Sequence, residues 1–319
     1  STYLLYYLAK VLNLKVLALT WEIPFMSESA KKSIVYAKEK FSNVEFITRK
    51  VADKDLIKMY RKLYELSGNT CSCPSLAYLL FYPELVINKV PYIVAGNEPV
   101  QMLGLYYNHI APKIAYSFYN KKLLNFLINL GRIITFHPPL KRGQFHTLAT
   151  MKELAKGNLF KKIANYKNEL LDNVCKSLKE IKHLTQPLKK AIRYSSFTGN
   201  IPAFINIDLN KISGGIYDWQ KIKALIVKEA GWVAPEADIK GLHTSCKIEK
   251  CKEYSQFIRF YHMESTMIPF SALEISLASQ NKNVSRTEAI KEIKACMGFS
   301  LNEVDECQIM KAYLQKHLD

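Results

Sequence analysis

The stretch STYLLYYLAKVLNLKVLALTWE, Ser1 to Glu22, decides the fold class, because two different periods follow one another within it. A Ser-Thr pair leads into apolar residues at helical spacing, Leu4, Leu5, Leu8, Val11 and Leu12, and then into the unbroken apolar run Val16 to Leu19. The first pattern predicts a helix and the second a buried parallel strand. In an α/β protein that order follows an earlier strand, and the turn between strand and helix presents free backbone N–H groups to anions. The expectation is a strand and a phosphate-binding turn immediately before Ser1.

The alternation continues downstream. Glu28 to Phe41 carries Ala30, Ile34, Ala37 and Phe41 on one helical face and is followed by the strand-like run Val44 to Thr48. Asp55 to Leu66 and Leu76 to Ile87 read as helices, and Pro91 to Pro99 as a short buried strand entering a Gly-containing loop. This pattern predicts a doubly wound parallel sheet, whose ligands bind at the carboxyl ends of the strands. On that rule Thr20, Trp21, Glu22, Thr48, Gly96, Asn97 and Glu98 face one crevice.

From Lys152 to Lys190 helical apolar spacing prevails among basic residues, and the next strand signal is Ile201 to Ile207. The chain therefore divides into an α/β core over 1–150, a basic helical insertion over 151–200, and a final strand with a helical C-terminal region over 201–319. Ser285-Arg-Thr-Glu288 and Ser300-Leu-Asn-Glu303 are capping boxes that open amphipathic runs; Arg286 within the first is expected on the surface.

The 319 residues, 49% hydrophobic and 23% charged, have the composition of a globular chain. No run reaches the ~18 apolar residues of a membrane span, and the start lacks the basic region and cleavage site of a signal peptide, so a cytoplasmic protein is expected. Lys and Arg number 45 against 28 Asp and Glu, a net charge of +17. Such an excess favours nucleic acid, nucleotide phosphates or anionic lipid, or else marks a solvated Lys-rich surface. Lys161, Lys162, Lys189, Lys190 and Arg193 alternate with apolar residues as on the solvated sides of packed helices, and are expected to be scattered.

Three stretches resemble the PP-loop ATP pyrophosphatases, and within them the N-acetyl sugar amidotransferases of bacterial surface-glycan synthesis. Ser1 to Glu22 is similar to the end of the PP-loop S-G-G-x-D-S, its helix and the second strand, with Ser1 as the last serine of the motif. Cys71 to Gln101, CSCPSLAYLLFYPELVINKVPYIVAGNEPVQ, looks like the group's cysteine, helix and following strand. YDWQKIKALIVKEAGWVAPE, Tyr217 to Glu236, and VSRTEAI, Val284 to Ile290, are similar to its Asp-Trp helix leading to Gly-Trp and its later Arg-containing helix. The resemblance implies an adenine-nucleotide-hydrolase-like fold and an AMP-forming reaction with ATP and Mg²⁺ on a nucleotide- or lipid-linked acetamido sugar. It also implies a partner that hydrolyses glutamine to supply ammonia. Ser1 and Thr2 would edge the pyrophosphate site, Thr20 and Trp21 would lie near the adenine, and Gly96, Asn97 and Glu98 would lie under the ribose and phosphates. Thiolation of tRNA is the alternative activity; a scaffold that keeps the fold without catalysis is a third reading.

The seven cysteines are an odd number for a disulfide framework. Cys175, Cys296 and Cys307 lie in helical patterns as small core residues. Cys71, Cys73, Cys246 and Cys251 occupy two polar segments, and four thiolates from two loops suit Zn²⁺ or an Fe–S cluster, with His243 as a substitute ligand. Elsewhere, His137-Pro-Pro-Leu-Lys-Arg142 either sets an imidazole and a cation at the mouth of a crevice or is a solvated Pro-rich loop, and His109 reads as a satisfied loop residue.

Overall fold

The computed structural model describes residues 2–67, 73–97, 118–157, 169–215, 218–234, 246, 261–264, 270–297 and 305–316. It is a mixed α/β protein in which helix predominates, and it divides into two compact units. The first comprises Ser1–Ile57, Gly96–Leu103 and Asp208–Asp319; the second comprises Lys58–Ala95 and Gly104–Ile207.

In the first unit α1 (Thr2–Tyr6) continues as a π-helical turn, Tyr7–Val11, and leads to β1 (Val16–Trp21). After α2 (Glu28–Lys40) comes β2 (Val44–Arg49), which pairs with β1 in parallel, Val16 opposite Val44 through Trp21 opposite Arg49. Ser27 caps α2 by accepting the Ala30 N–H at 3.2 Å, and Asn43 ties the loop before β2 to the first helix by donating to the Ala9 and Leu14 carbonyls, both at 2.9 Å. α3 (Asp53–Ser67) then carries the chain out of the unit.

The chain returns through α9 (Leu209–Ile212) and α10 (Trp219–Ala230), followed by α11 (Phe270–Gln280), α12 (Arg286–Met297) and α13 (Asp305–Gln315). Tyr3, Leu209, Ile222, Ile226, Ile275, Ala278, Val284 and Ala289 pack into one core, and Ala9, Ala37, Phe41 and Ala230 into another. Gly231 follows α10 with φ +67°; a Cβ there would meet the Tyr36 Cβ at 2.5 Å, so only glycine lets α10 end this close to α2. The Ser285 capping box forms reciprocally, Glu288 N–H to Ser285 Oγ at 3.2 Å and Ser285 N–H to Glu288 Oε2 at 3.2 Å, with Arg286 exposed. Ser300 and Glu303 lie outside the described residues.

In the second unit α4 (Cys73–Ile87) packs on α6 (Gln144–Lys156) and α8 (Lys182–Thr198), with Leu76, Tyr82, Met151, Ile181 and Leu188 almost wholly buried. β3 (Tyr92–Asn97) pairs with β4 (Ala203–Asp208). Gly143 opens α6 at φ +81° and accepts the Phe204 N–H of β4 at 3.1 Å; a Cβ there would lie 2.7 Å from the Phe204 carbonyl oxygen. α5 (Lys122–Ile134) and α7 (Glu169–Ser177) complete the unit. The predicted strands thus form as strands, and among the described residues they make two separate pairs, β1 with β2 and β3 with β4.

Candidate anion-binding site

The second unit contains a cavity of about 450 Å³ between α6 and α8. Lys152, Ala155 and Lys156 come from α6, Lys189, Ile192, Arg193, Ser196 and Phe197 from α8, and His137 from the turn after α5. No carboxylate is among these lining residues. Each helix contributes its cations one turn apart, Lys152 with Lys156 and Lys189 with Arg193. Like charges at this i,i+4 spacing repel and weaken a helix, so neither pair supports its own helix. Lys156, in the last turn, offsets the dipole of α6, whereas Lys189 and Arg193 lie mid-helix and gain nothing from a helix end.

Arg132 stands behind the cavity wall. Its guanidinium is buried, and it donates from Nε to the Pro138 carbonyl at 2.7 Å, from Nη1 to Ser196 Oγ at 3.2 Å and from Nη2 to the Ser196 carbonyl at 2.9 Å. All three acceptors are neutral, and Ser196 O is one of the last carbonyls of α8, where the helix dipole presents partial negative charge. Arg132 thereby fixes the C-terminal turn of α8, which supplies Ser196 and Phe197 to the cavity. His137 is placed by its Nδ1 contact with Thr135 Oγ1 at 3.1 Å and by the edge of the Phe197 ring, centroids 6.2 Å apart.

The Lys152 ammonium is held below the usual lysine range by burial first, then by the positive charges of Arg132 and Lys156. An anion in the cavity offsets the last two effects and favours the charged ammonium. Anion binding should therefore take up protons at pH values near the lowered Lys152 pKa, and affinity should fall as pH rises through it. Calorimetric titration with inorganic pyrophosphate in two buffers of different ionisation enthalpy measures this uptake directly, and Lys152→Met should abolish it.

Of the basic residues expected to be scattered, Lys189 and Arg193 line the cavity and Lys190 is exposed and off the lining, while Lys161 and Lys162 lie outside the described residues. His137 also lines this cavity, whereas Lys141 and Arg142 are not among its lining residues.

Of the residues assigned to a nucleotide, Thr2 opens α1, and Thr20 and Trp21 end β1 opposite Thr48 and Arg49. Trp21 is buried, and among the described residues its indole Nε1 has no hydrogen-bond acceptor. Gly96 and Asn97 close β3; Ser1 and Glu98 lie outside the described residues, as do His109 and His243. Of the proposed metal ligands, Cys73 is the first residue of α4 and Cys246 forms an isolated bridge with Met26, while Cys71 and Cys251 lie outside the described residues. Among the described residues no three His, Cys, Asp or Glu side chains gather as a metal would require. Cys175 lies on α7, as its helical pattern suggested, and is half-buried. Burial pushes its thiol up to about 12, and its Sγ lies 3.7 Å from the Glu153 carbonyl.

Comparison with protein-family models, curated proteins and solved structures returns no match for this chain. No helix among the described residues is long and apolar enough to cross a membrane.

Proposed function

We propose that the protein binds a phosphate- or pyrophosphate-bearing substrate in the α6–α8 cavity and acts as an ATP-dependent, AMP-forming amidotransferase on an acetamido sugar so linked. The observation that carries the anion part is the convergence of Lys152, Lys156, Lys189 and Arg193 on a cavity with no carboxylate among its described lining residues. A volume near 450 Å³ suits one small anionic ligand rather than a polyanion spread over a surface, which favours a linked sugar over tRNA. The nucleotide part is supported by the resemblance of Ser1 to Glu22 to the PP-loop segment and by the parallel register that brings Thr20 beside Thr48. The orphan Trp21 Nε1 adds a donor there. A doubly wound sheet of the PP-loop type belongs to this same reading.

In the proposed reaction the acetamido oxygen attacks the α-phosphate of Mg²⁺–ATP and expels pyrophosphate, leaving an adenylated imidate. Ammonia then adds to the imidate carbon; AMP departs with its bonding electrons, and loss of a proton gives the amidine. A glutaminase partner would supply the ammonia. The fixed positive charge of the cavity would hold the carrier phosphate of the substrate by electrostatic attraction.

Titration of the full chain with a uridine-diphosphate-linked acetamido sugar, followed by assay of AMP release from labelled ATP with added ammonium, tests both parts. The double variant K189E/R193E removes two charge-assisted contacts and should weaken sugar-nucleotide binding by roughly a hundredfold or more. Unchanged binding in that variant defeats the anion part, and ADP or no nucleotide product with the wild type defeats the amidotransferase part. Tight, salt-sensitive binding of bulk tRNA that K189E/R193E abolishes would assign the cavity to nucleic acid instead.

A further inference from the structure

α5 is amphipathic in the inverted sense. Leu123, Phe126, Leu127, Leu130, Ile133 and Ile134 are all exposed, between 41% and 72% of their surface. The polar side chains face the protein: Asn129 donates to Asn125 Oδ1 at 2.7 Å and accepts the Leu140 N–H at 2.8 Å, and Arg132 is buried. A helix ordinarily turns its apolar stripe to the core. Here the stripe is extended by Phe136, 87% exposed and held in the left-handed region at φ +58°. Strain at a non-glycine residue, spent on presenting a phenyl ring to solvent, implies that the ring meets something.

The charges around this face say what covers it. Lys121 and Lys122 stand at the N-terminal end of α5 and are exposed; Lys141 and Arg142 follow its far end, Arg142 lying over the Tyr119 ring at 5.7 Å. Between Glu98 and Glu153 the sequence contains no Asp or Glu. A second copy docked face to face would set these cations against their own images, whereas an anionic bilayer neutralises them and accepts the apolar stripe among its acyl chains. We infer that α5 and the Phe136 turn dock this protein on the surface of an anionic phospholipid membrane, with the helix lying in the interfacial plane. Phe197, 65% exposed, lines the cavity and packs against His137, which also lines it and directly follows Phe136 in the chain. The docked protein therefore opens its cavity at the level of the headgroups, where a lipid-linked phosphate is presented. The docking itself stands independently of the amidotransferase reading.

Flotation of the full chain with phosphatidylcholine vesicles, with and without phosphatidylglycerol, tests this without nucleotide or sugar. The wild type should float with the anionic vesicles and lose binding as salt is raised. K121Q/K122Q should bind roughly thirtyfold less tightly, since two cations near the surface are lost. F126E/I133E alters only exposed side chains, so it should keep its circular dichroism and pyrophosphate binding while losing flotation. F126W should blue-shift its emission on adding anionic vesicles. Failure of the wild type to float, or equal flotation of F126E/I133E, overturns the inference. So does a dimer in sedimentation equilibrium that F126E/I133E dissolves, because the face would then belong to a second copy.

Discussion

Replacing Arg132 with Met should lower the stability of the protein by about 3 kcal/mol in chemical denaturation and weaken pyrophosphate binding with it. The three hydrogen bonds from this guanidinium go to Pro138 O, Ser196 Oγ and Ser196 O. A bond from a charged donor contributes roughly 1.5–3 kcal/mol, and a buried acceptor left without a donor costs ~1–3 kcal/mol. Two terms offset part of that loss. The guanidinium itself is partly stripped of water, which holds its pKa below the usual arginine value, and its charge repels Lys152. Methionine removes both penalties and fills much of the same volume, so the net effect is less than the sum of three bonds. Arg132→Lys should fall between wild type and Met, because one ammonium cannot reach acceptors on both the His137 turn and the end of α8 with the geometry of the guanidinium fork. The binding loss separates a positioning role from a merely structural one. Ser196 and Phe197 line the cavity without carrying its charge, so releasing them should reduce affinity while Lys152, with one repelling charge gone, becomes easier to protonate. A rise in the Lys152 pKa of Arg132→Met, read as reduced proton uptake on binding, would be the signature of that coupling.

The same neighbourhood shows what periodicity reveals and what it hides. α2, β1 and β2 follow the sequence pattern to within two or three residues at each end, since their helical and strand periods are set by which side is buried. The Ser285 capping box was legible for a local reason: both partners of the reciprocal bonds lie within four residues. α5 was not anticipated. Its apolar stripe is regular, but a stripe read as core-facing predicts the wrong side of the helix. The usable signal was on the opposite face, where Asn125, Asn129 and Arg132 recur at helical spacing in a stretch without acidic residues. The cavity was hidden for a related reason. Charges alternating with apolar residues look solvated on any single helix, and only the packing of α6 against α8 brings two such rows together. The i,i+4 repetition of like charge was the available clue, because repulsion within each helix calls for an anion to relieve it. For the nucleotide residues the pattern placed Thr20 beside Thr48 across a parallel pair, but Gly96 and Asn97 end a strand that pairs elsewhere in the chain.

At the alkaline end, stability should fall by about 3 kcal/mol in all through Tyr82 alone, about 2 kcal/mol of it between pH 10 and pH 12. Its phenol is almost fully buried on α4, and burial pushes its pKa from 10.0 up to about 12, against a smaller lowering by the hydrogen bond with Ser195. Two pKa units at ~1.36 kcal/mol each give the magnitude. The folded protein holds this proton more tightly than the unfolded chain, so the stabilisation is complete below pH 10 and is lost as pH rises through the folded pKa. Tyr78 on the same helix is also raised to about 12 by burial and acts in the same direction. Tyr82→Phe checks the assignment. It should cost ~1 kcal/mol at neutral pH by removing the 2.7 Å bond to Ser195 on α8, whose hydroxyl keeps a contact of 3.3 Å with the Ile192 carbonyl. In return it should flatten the alkaline fall. Because Ser195 is one residue before Ser196 on the helix that carries Lys189 and Arg193, ionised Tyr82 pulls at the wall of the anion cavity as well as at the core. Pyrophosphate affinity should accordingly drop in two stages, first as Lys152 loses its proton and then more steeply where absorbance at the phenolate band reports Tyr82 ionisation. A single stage ending with Lys152, with α8 still protected from hydrogen exchange at pH 12, would show that Tyr82 does not hold that wall.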